Sequence, residues 1–349
     1  MKYLPRSFNR EAVIMTTRDD SPGLPVRPAY RHSPHAMALL AGVFTLPLLF
    51  VGGSVTTYRV GMAVPDWPTT NGINMFLFDF WNAPFGVRVE HAHRLYGAAV
   101  GLATIGLTVW FFRFEPRRWM KVLGVVALVT VIGQGILGGT RVTQVSTFLA
   151  AVHGCTGQAF FGLMVALCVL TGRDWLSASL REPDIHRFRR RAFVMLALVY
   201  GQIVLGAWVR HYGTLAAVTA HALVATAVLL YALVLAVSVQ RHKQDVPALV
   251  TWSRLLAGSA VAQVVLGIVA LVYVLPLGGM PRPAGFYEAV VRTGHQTNAA
   301  LLLASSVVFA LRACRHPRVG AGVQGEARDR PLTTAAGNAS VSGSLEVVA

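Results

Sequence analysis

Four histidines, His93, His153, His221 and His295, each stand a few residues inside one end of a long apolar run. Their runs are the second, fourth, sixth and eighth along the chain, so all four fall at the same side of an up-and-down bundle. Ionisable residues inside membrane spans are costly and by default mark function. A single histidine there is ordinarily a hydrogen-bonded core residue. Four at matched depth, roughly 5–10 Å below the outer boundary at about 1.5 Å rise per residue, make two pairs. Neutral imidazole suits iron, and facing helices of a bundle are a usual place for a cofactor. Zinc or copper would normally add Cys or carboxylate ligands. Two bis-histidine haem sites are therefore expected.

The densest cluster is Glu90-His91-Ala92-His93-Arg94. Residues three and four apart adjoin on a helix, which puts Glu90, His93 and Arg94 on neighbouring faces. His91 points roughly opposite, so His93 is expected to face the bundle core with Glu90, and His91 is expected to be dispensable. The ordinary alternative is a Glu90–Arg94 ion pair flanked by surface histidines.

The elements that must hold these residues are membrane helices. Of 349 residues, 54% are hydrophobic and only 13% charged, and the mean hydropathy is +0.54. Soluble domains carry about a quarter charged residues. Apolar runs near 36–57, 93–112, 121–140, 147–171, 192–209, 214–238, 252–276 and 289–311 each approach the roughly 20 residues needed to span a bilayer. The fold expected is an all-α integral membrane protein of eight transmembrane helices, arranged as two pseudo-symmetric four-helix bundles.

The net charge of +16 does not indicate nucleic acid. Most of the basic residues fall in alternate connections and in the two tails, which orients both termini to the cytoplasm. Cys155, Cys168 and Cys314 lie within or at the inner end of spans and read as small packing residues. The first 35 residues are polar and basic without an apolar core, so they are not a secretory signal. Met15 is an alternative start. The tail after about 317 is expected to be disordered.

The expected organisation is a cytoplasmic tail over 1–35, an N-terminal half over 36–172, a basic inner linker over 173–191, a C-terminal half over 192–312, and a second tail over 313–349. The third, fifth and seventh spans carry Gln134-Gly-Ile-Leu-Gly138, Gln202-Ile-Val-Leu-Gly206 and Gln263-Val-Val-Leu-Gly267. His93 matches His221, His153 matches His295, and Arg59 matches Arg210. Such a repeat preserves membrane orientation. Its glycines read as helix-packing positions. The loop over about 58–88 contains Asp66-Trp67-Pro68 and Met75-Phe-Leu-Phe-Asp-Phe-Trp81. It is a candidate lid or an aromatic anchor against membrane lipid.

The Glu90-x-x-His93-Arg94 motif, His153, His221, His295, the two halves and the stretch Gly61-Met-Ala-Val-Pro-Asp-Trp-Pro68 together resemble the haem A synthase family over about residues 36–312. The resemblance implies an enzyme that oxidises a ring methyl of haem O to a formyl group. It implies His93 and His153 as ligands of the substrate haem O, His221 and His295 as ligands of a resident haem b, and Glu90 as the catalytic carboxylate. Aligned on the histidines, Glu90 corresponds to Val218 and Arg94 to Ala222, so acid–base equipment is expected only in the first half. Many members of that family carry a cysteine pair in the outer loops, and residues 58–88 here contain none.

Arg59, Arg141, Arg210 and Arg292 lie on the outer side against the prevailing charge bias. Arg pairs bidentately with carboxylate, which makes them candidate propionate contacts; interfacial snorkelling is the plainer alternative. The resemblance further implies a haem O synthase as upstream partner, terminal oxidase assembly factors as candidate partners, and no nucleic acid. The membrane expected is a bacterial plasma membrane, with the mitochondrial inner membrane as alternative. A dihaem b-type electron carrier and a haem transporter or chaperone are the competing functions.

Overall fold

The computed structural model describes residues 30–176, 186–274 and 284–315. Both expected tails, with Met15, and the centre of the basic linker lie outside the described residues. The elements in chain order are α1 (His32–Thr57), α2 (Phe85–Phe114), α3 (Arg118–Thr143), α4 (Thr147–Thr171), the short α5 (Arg173–Leu176), α6 (His186–Tyr212), α7 (Leu215–Arg241), α8 (Pro247–Val274) and α9 (Phe286–Cys314). Eight of them, all but α5, are long and apolar enough to cross a membrane. The protein is an all-α integral membrane protein, and no strand is formed among the described residues.

The helices run past the apolar stretches at both ends, because polar residues at a membrane surface lose nothing by staying helical. Thus α2 begins at Phe85, before Glu90, and the preceding loop ends at residue 84. Two of the histidine-bearing helices start at a side-chain cap. Ser146 accepts the Leu149 N–H ahead of α4, and Thr214 accepts the Ala217 N–H ahead of α7, each satisfying an otherwise orphaned donor.

Helix α1 packs on α2 and α4, α2 on α3, and α3 on α4; likewise α6 packs on α7 and α9, α7 on α8, and α8 on α9. Every pairing in the first four-helix bundle has its counterpart in the second. The bundles meet through α4 against α9, with α1 against α9 and α6 against α4 as the equivalent flanking contacts.

Each bundle is packed by an apolar cluster concentrated away from the histidines. In the first it includes Leu107, Phe111, Met120, Met164 and Leu167. In the second it includes Phe188, Met195, Leu249, Leu256 and Phe309. Large side chains therefore close one end of each bundle, and the polar residues gather at the other, the loop end.

Candidate functional site

The four histidines meet in pairs at the loop end. The rings of His93 and His153 lie 6.2 Å apart, centre to centre, at 88°. Those of His221 and His295 lie 6.3 Å apart at 76°. Thus α2 faces α4 and α7 faces α9, each supplying one imidazole. A metal–imidazole bond is ~2 Å and the ring centre lies about 1 Å behind the nitrogen, so two rings on opposite sides of one ion have centres roughly 6 Å apart. Both pairs have that spacing. Among the described residues no group of three His, Cys, Asp or Glu gathers to hold a metal. The donor set is two imidazoles per site, which suits an axially ligated porphyrin iron.

The other two helices of each bundle supply a seat for each ring. A Cβ placed on Gly52 of α1 would stand 2.8 Å from Cε1 of His93. On Gly138 of α3 it would stand 3.2 Å from that of His153, on Gly206 of α6 3.1 Å from that of His221, and on Gly267 of α8 3.0 Å from that of His295. The repeated glycines thus do more than bring helices together: each is the surface on which an imidazole edge rests. Gly52 was hidden from the repeat because Leu48, not Gln, precedes it by one turn.

The repeated glutamines, one turn before the other three glycines, serve the rings unequally. Gln202 Nε2 lies 3.0 Å from His221 Nδ1 and donates to the His221 carbonyl at 2.8 Å. The Gln263 carbonyl is 3.1 Å from His295 Nδ1, and Asn298 donates to Gln263 Oε1 at 2.7 Å. Gln134 instead donates to Thr156 Oγ1 at 2.5 Å. Among the described residues the buried Nδ1 atoms of His93 and His153 have no hydrogen-bond partner of good geometry, although the backbone of Leu48 and of Gln134 lies close to the respective ring. The second pair is held by these amides of its own bundle; the ring Nδ1 atoms of the first pair are less well partnered.

Around the first pair, the loop over residues 58–84 is fastened down as a roof. Glu90 is 1% exposed; its Oε2 accepts the Val64 N–H at 2.9 Å and its Oε1 accepts Arg94 at 3.1 Å. Arg94 also donates to the carbonyls of Val64, Asp66 and Thr69, at 2.9, 2.7 and 2.7 Å. His91 is fully buried; its Nδ1 lies 3.0 Å from Thr70 Oγ1, and its ring packs on Phe78 and Phe80. Trp67 lies against Gly139, next to the seat of His153, and the Arg141 guanidinium lies against Gly61.

Asp66 gathers the Thr69 hydroxyl and the N–H groups of Asn71 and Gly72. Partial burial pushes its carboxyl up, but those bonds outweigh it and hold the pKa at about 2. The apolar tip, with Phe76, Leu77 and Trp81, is exposed.

These contacts close one alternative and correct one expectation. His93 does pair with His153 while His91 faces away, but His91 is buried and anchors the loop, so the surface histidine of the alternative reading is not found. Glu90 does not join His93 in facing the pair; it turns to the loop and makes no hydrogen bond to His93. The arrangement was missed because helical spacing gives the face of a residue and not what a distant loop brings to it.

The basic residues are placed unequally. Arg59 is exposed with φ 57°, outside α1, whereas Arg210 lies within α6 and donates to α1. The expected equivalence of these two does not hold. Arg141 is in electrostatic reach of both His93 and His153, and among the described residues its guanidinium has no hydrogen-bond or ion-pair partner. Arg292 pairs with the buried Glu288 at 2.8 Å.

The second half thus also holds a buried carboxylate, near the start of a histidine-bearing helix. Val218 and Ala222 do replace Glu90 and Arg94 on α7, but Glu288 and Arg292 stand on α9, the partner helix. Comparing α2 with α7 alone could not find them; their i,i+4 spacing near the start of the eighth span could have.

The fold and site define a membrane protein whose two four-helix bundles each present a facing histidine pair at one end. Residues 35–220 match the family model described as COX15-CtaA, cytochrome oxidase assembly protein, which is just over half of the chain. The chain belongs to that family. The match takes in Glu90, His93, Arg94, Arg141, His153 and Arg210 and stops one residue before His221.

The chain is similar to the haem A synthase of Erythrobacter litoralis, 27% identical over 214 residues covering 49% of this chain and 60% of that protein. It is similar to the haem A synthase of Alkalihalophilus pseudofirmus, 26% identical over 195 residues covering 48% and 64%. It is also similar to that of Listeria monocytogenes, 31% identical over 138 residues covering 38% and 42%. The chain thus spans less than two thirds of the length of these relatives.

Proposed function

We propose that this protein is a haem A synthase, an oxidoreductase that converts the ring methyl of haem O to the formyl group of haem A. The observation that carries the reading is the pair of equally spaced histidine sites in a chain of this family. One of those sites is roofed and polar, and the other is satisfied by its own bundle. His93 and His153 would hold the substrate haem O, and His221 and His295 a resident haem b, which supplies electron transfer when bound. Relatives named haem A synthase support the substrate; the second pair rests on its geometry.

The residues around the first pair have distinct tasks. Gly52 and Gly138 fix the ring positions. The roof made by residues 58–84 keeps bulk water from the reacting edge, which strengthens every electrostatic interaction beneath it. Arg141, without a hydrogen-bond or ion-pair partner among the described residues, would offer a bidentate donor to a propionate; Arg210 and Arg292 would serve the second site, and Arg59 lies exposed outside α1. Glu90 stands one turn before His93 and faces the loop, where it would hold or release a proton at Oε1 as Arg94 shifts. The orientation proposed places both termini in the cytoplasm and the loop end outside, in a bacterial plasma membrane. A haem O synthase is the proposed upstream partner.

Extraction of the porphyrins bound to purified protein tests this directly. Haem O together with haem A or a hydroxylated intermediate is the expected result. Haem b alone would establish a dihaem electron carrier instead.

A further inference from the structure

Arg210 is a cation that crosses from one bundle to the other, with no anionic partner among the described residues. From α6 its Nη2 donates to the Gly53 carbonyl at 2.6 Å and to Thr57 Oγ1 at 2.8 Å, both on α1. Its Nε is buried and has no hydrogen-bond partner among the described residues. The charged neighbours make matters worse: Arg292 has the same sign and is answered by Glu288, and His211 and His295 are the other titratable groups within reach. A buried charge left unpaired is strongly unfavourable. The free Nε therefore calls for a carboxylate, and His295 within reach places that carboxylate on the side of the second histidine pair.

The α1 end of the same side chain touches the first site. Gly53 follows Gly52, on which the His93 ring rests, and a Cβ on Gly53 would itself stand 2.9 Å from Thr293 Cγ2 of α9. Helix α1 is thus held from the second bundle at the very turn that seats a ligand of the first. We propose that Arg210 is a positioning residue that couples the two sites. A carboxylate of the porphyrin between His221 and His295 takes the free Nε, and Arg210, now fixed, holds α1 in the position that seats His93. Loading the second site then tightens binding at the first, and by linkage the reverse also holds. The inference rests on the two-haem reading above.

The test is titration of haemin into purified, haem-stripped protein in detergent, followed by low-spin absorbance. The double variant His221→Ala/His295→Ala isolates the first site, and His93→Ala/His153→Ala the second. The first site should bind roughly fivefold or more weakly when the second cannot load, within the usual range of such coupling. Arg210→Gln in the otherwise intact protein should weaken the first site to the same degree, and Arg210→Lys should restore part of the loss.

Thr57→Val keeps the cation and removes one bond to α1, so it should weaken the first site while sparing the second; it decides the matter should Arg210→Gln fail to fold. First-site affinity indifferent both to loading of the second and to these variants would overturn the coupling. If haemin binds at neither pair in the wild-type protein, the two-haem reading itself fails. Binding at both pairs without coupling removes only the role of Arg210.

Discussion

In the first bundle, residues 58–84 separate α1 from α2 and fold back over the His93–His153 pair. In the second, Gly213 and Thr214 alone join α6 to α7, with Gly213 at φ 61° making the turn. The helix pairings and ring spacings of the two bundles are otherwise alike. What the bundles share is two facing imidazoles on glycine seats. What the first alone adds is a roof, with an Arg141 and ring Nδ1 atoms that lack a hydrogen-bond partner among the described residues. On the proposed function, the shared part would hold a porphyrin and the added part would serve the turnover of a substrate.

The largest expected effect would break this comparison outright. Replacing His221 or His295 with Ala should abolish low-spin haem at the second pair and leave the first pair able to ligate, though more weakly through the Arg210 coupling, and His93→Ala or His153→Ala should do the converse. Haem content per polypeptide and the reduced spectrum measure this. A single variant that empties both pairs would show that the bundles do not act as separate sites.

Next comes the roof. Arg94→Ala removes three backbone contacts and a buried ion pair, a loss of about 3–5 kcal/mol where one partner is left unpaired. Residues 58–84 should then exchange amide hydrogens and be cut by protease far faster, with α7 and α9 unchanged. His91→Ala should loosen the same loop to a smaller degree while the His93–His153 spectrum persists. Glu90→Gln separates the two tasks of that residue. It should keep both haems and most of the roof, since Gln can still accept the Val64 N–H, yet accumulate haem O or a partly oxidised product. Haem A formed at the normal rate would leave Glu90 as a fastening alone.

The glycine seats sharpen the likeness of the bundles. Gly138→Ala and Gly206→Ala each force a methyl against an imidazole edge, an overpacking cost of about 1–3 kcal/mol. Each should perturb the spectrum of its own pair and not the other.

The smallest effect is a pH dependence confined to the roof. With its folded pKa at about 2 and an unperturbed value of ~3.9, Asp66 stabilises the loop fully above the higher value. That contribution is lost as pH falls through the lower one. Loop cleavage by pepsin should rise across that interval and be nearly flat in Asp66→Asn.

Much of this was legible in sequence because membrane helices announce themselves by length and hydropathy. The four histidines stood out as polar exceptions at equal depth, and the helical period separated His93 from His91. What could not be read depends on partners distant along the chain. Nothing local says that His91 would meet Thr70, Phe78 and Phe80, or that Glu90 would be taken up by the Val64 N–H. Aligning the halves helix by helix also hid Glu288, because the second carboxylate had moved to the other histidine-bearing helix. Gly52 escaped for a similar reason: a seat needs only a missing side chain, and absence leaves no motif when its neighbours differ.

The contact between each imidazole and a neighbouring backbone has a mechanical consequence. With no side chain between ring and helix, the ring serves as the spacer that sets how far α1 stands from α2, or α8 from α9. Sliding or tilting either helix must turn or displace that imidazole. Helices accommodate a change in bilayer thickness in part by tilting, so the absorbance of haem held as proposed would become a gauge of the lipid around the protein.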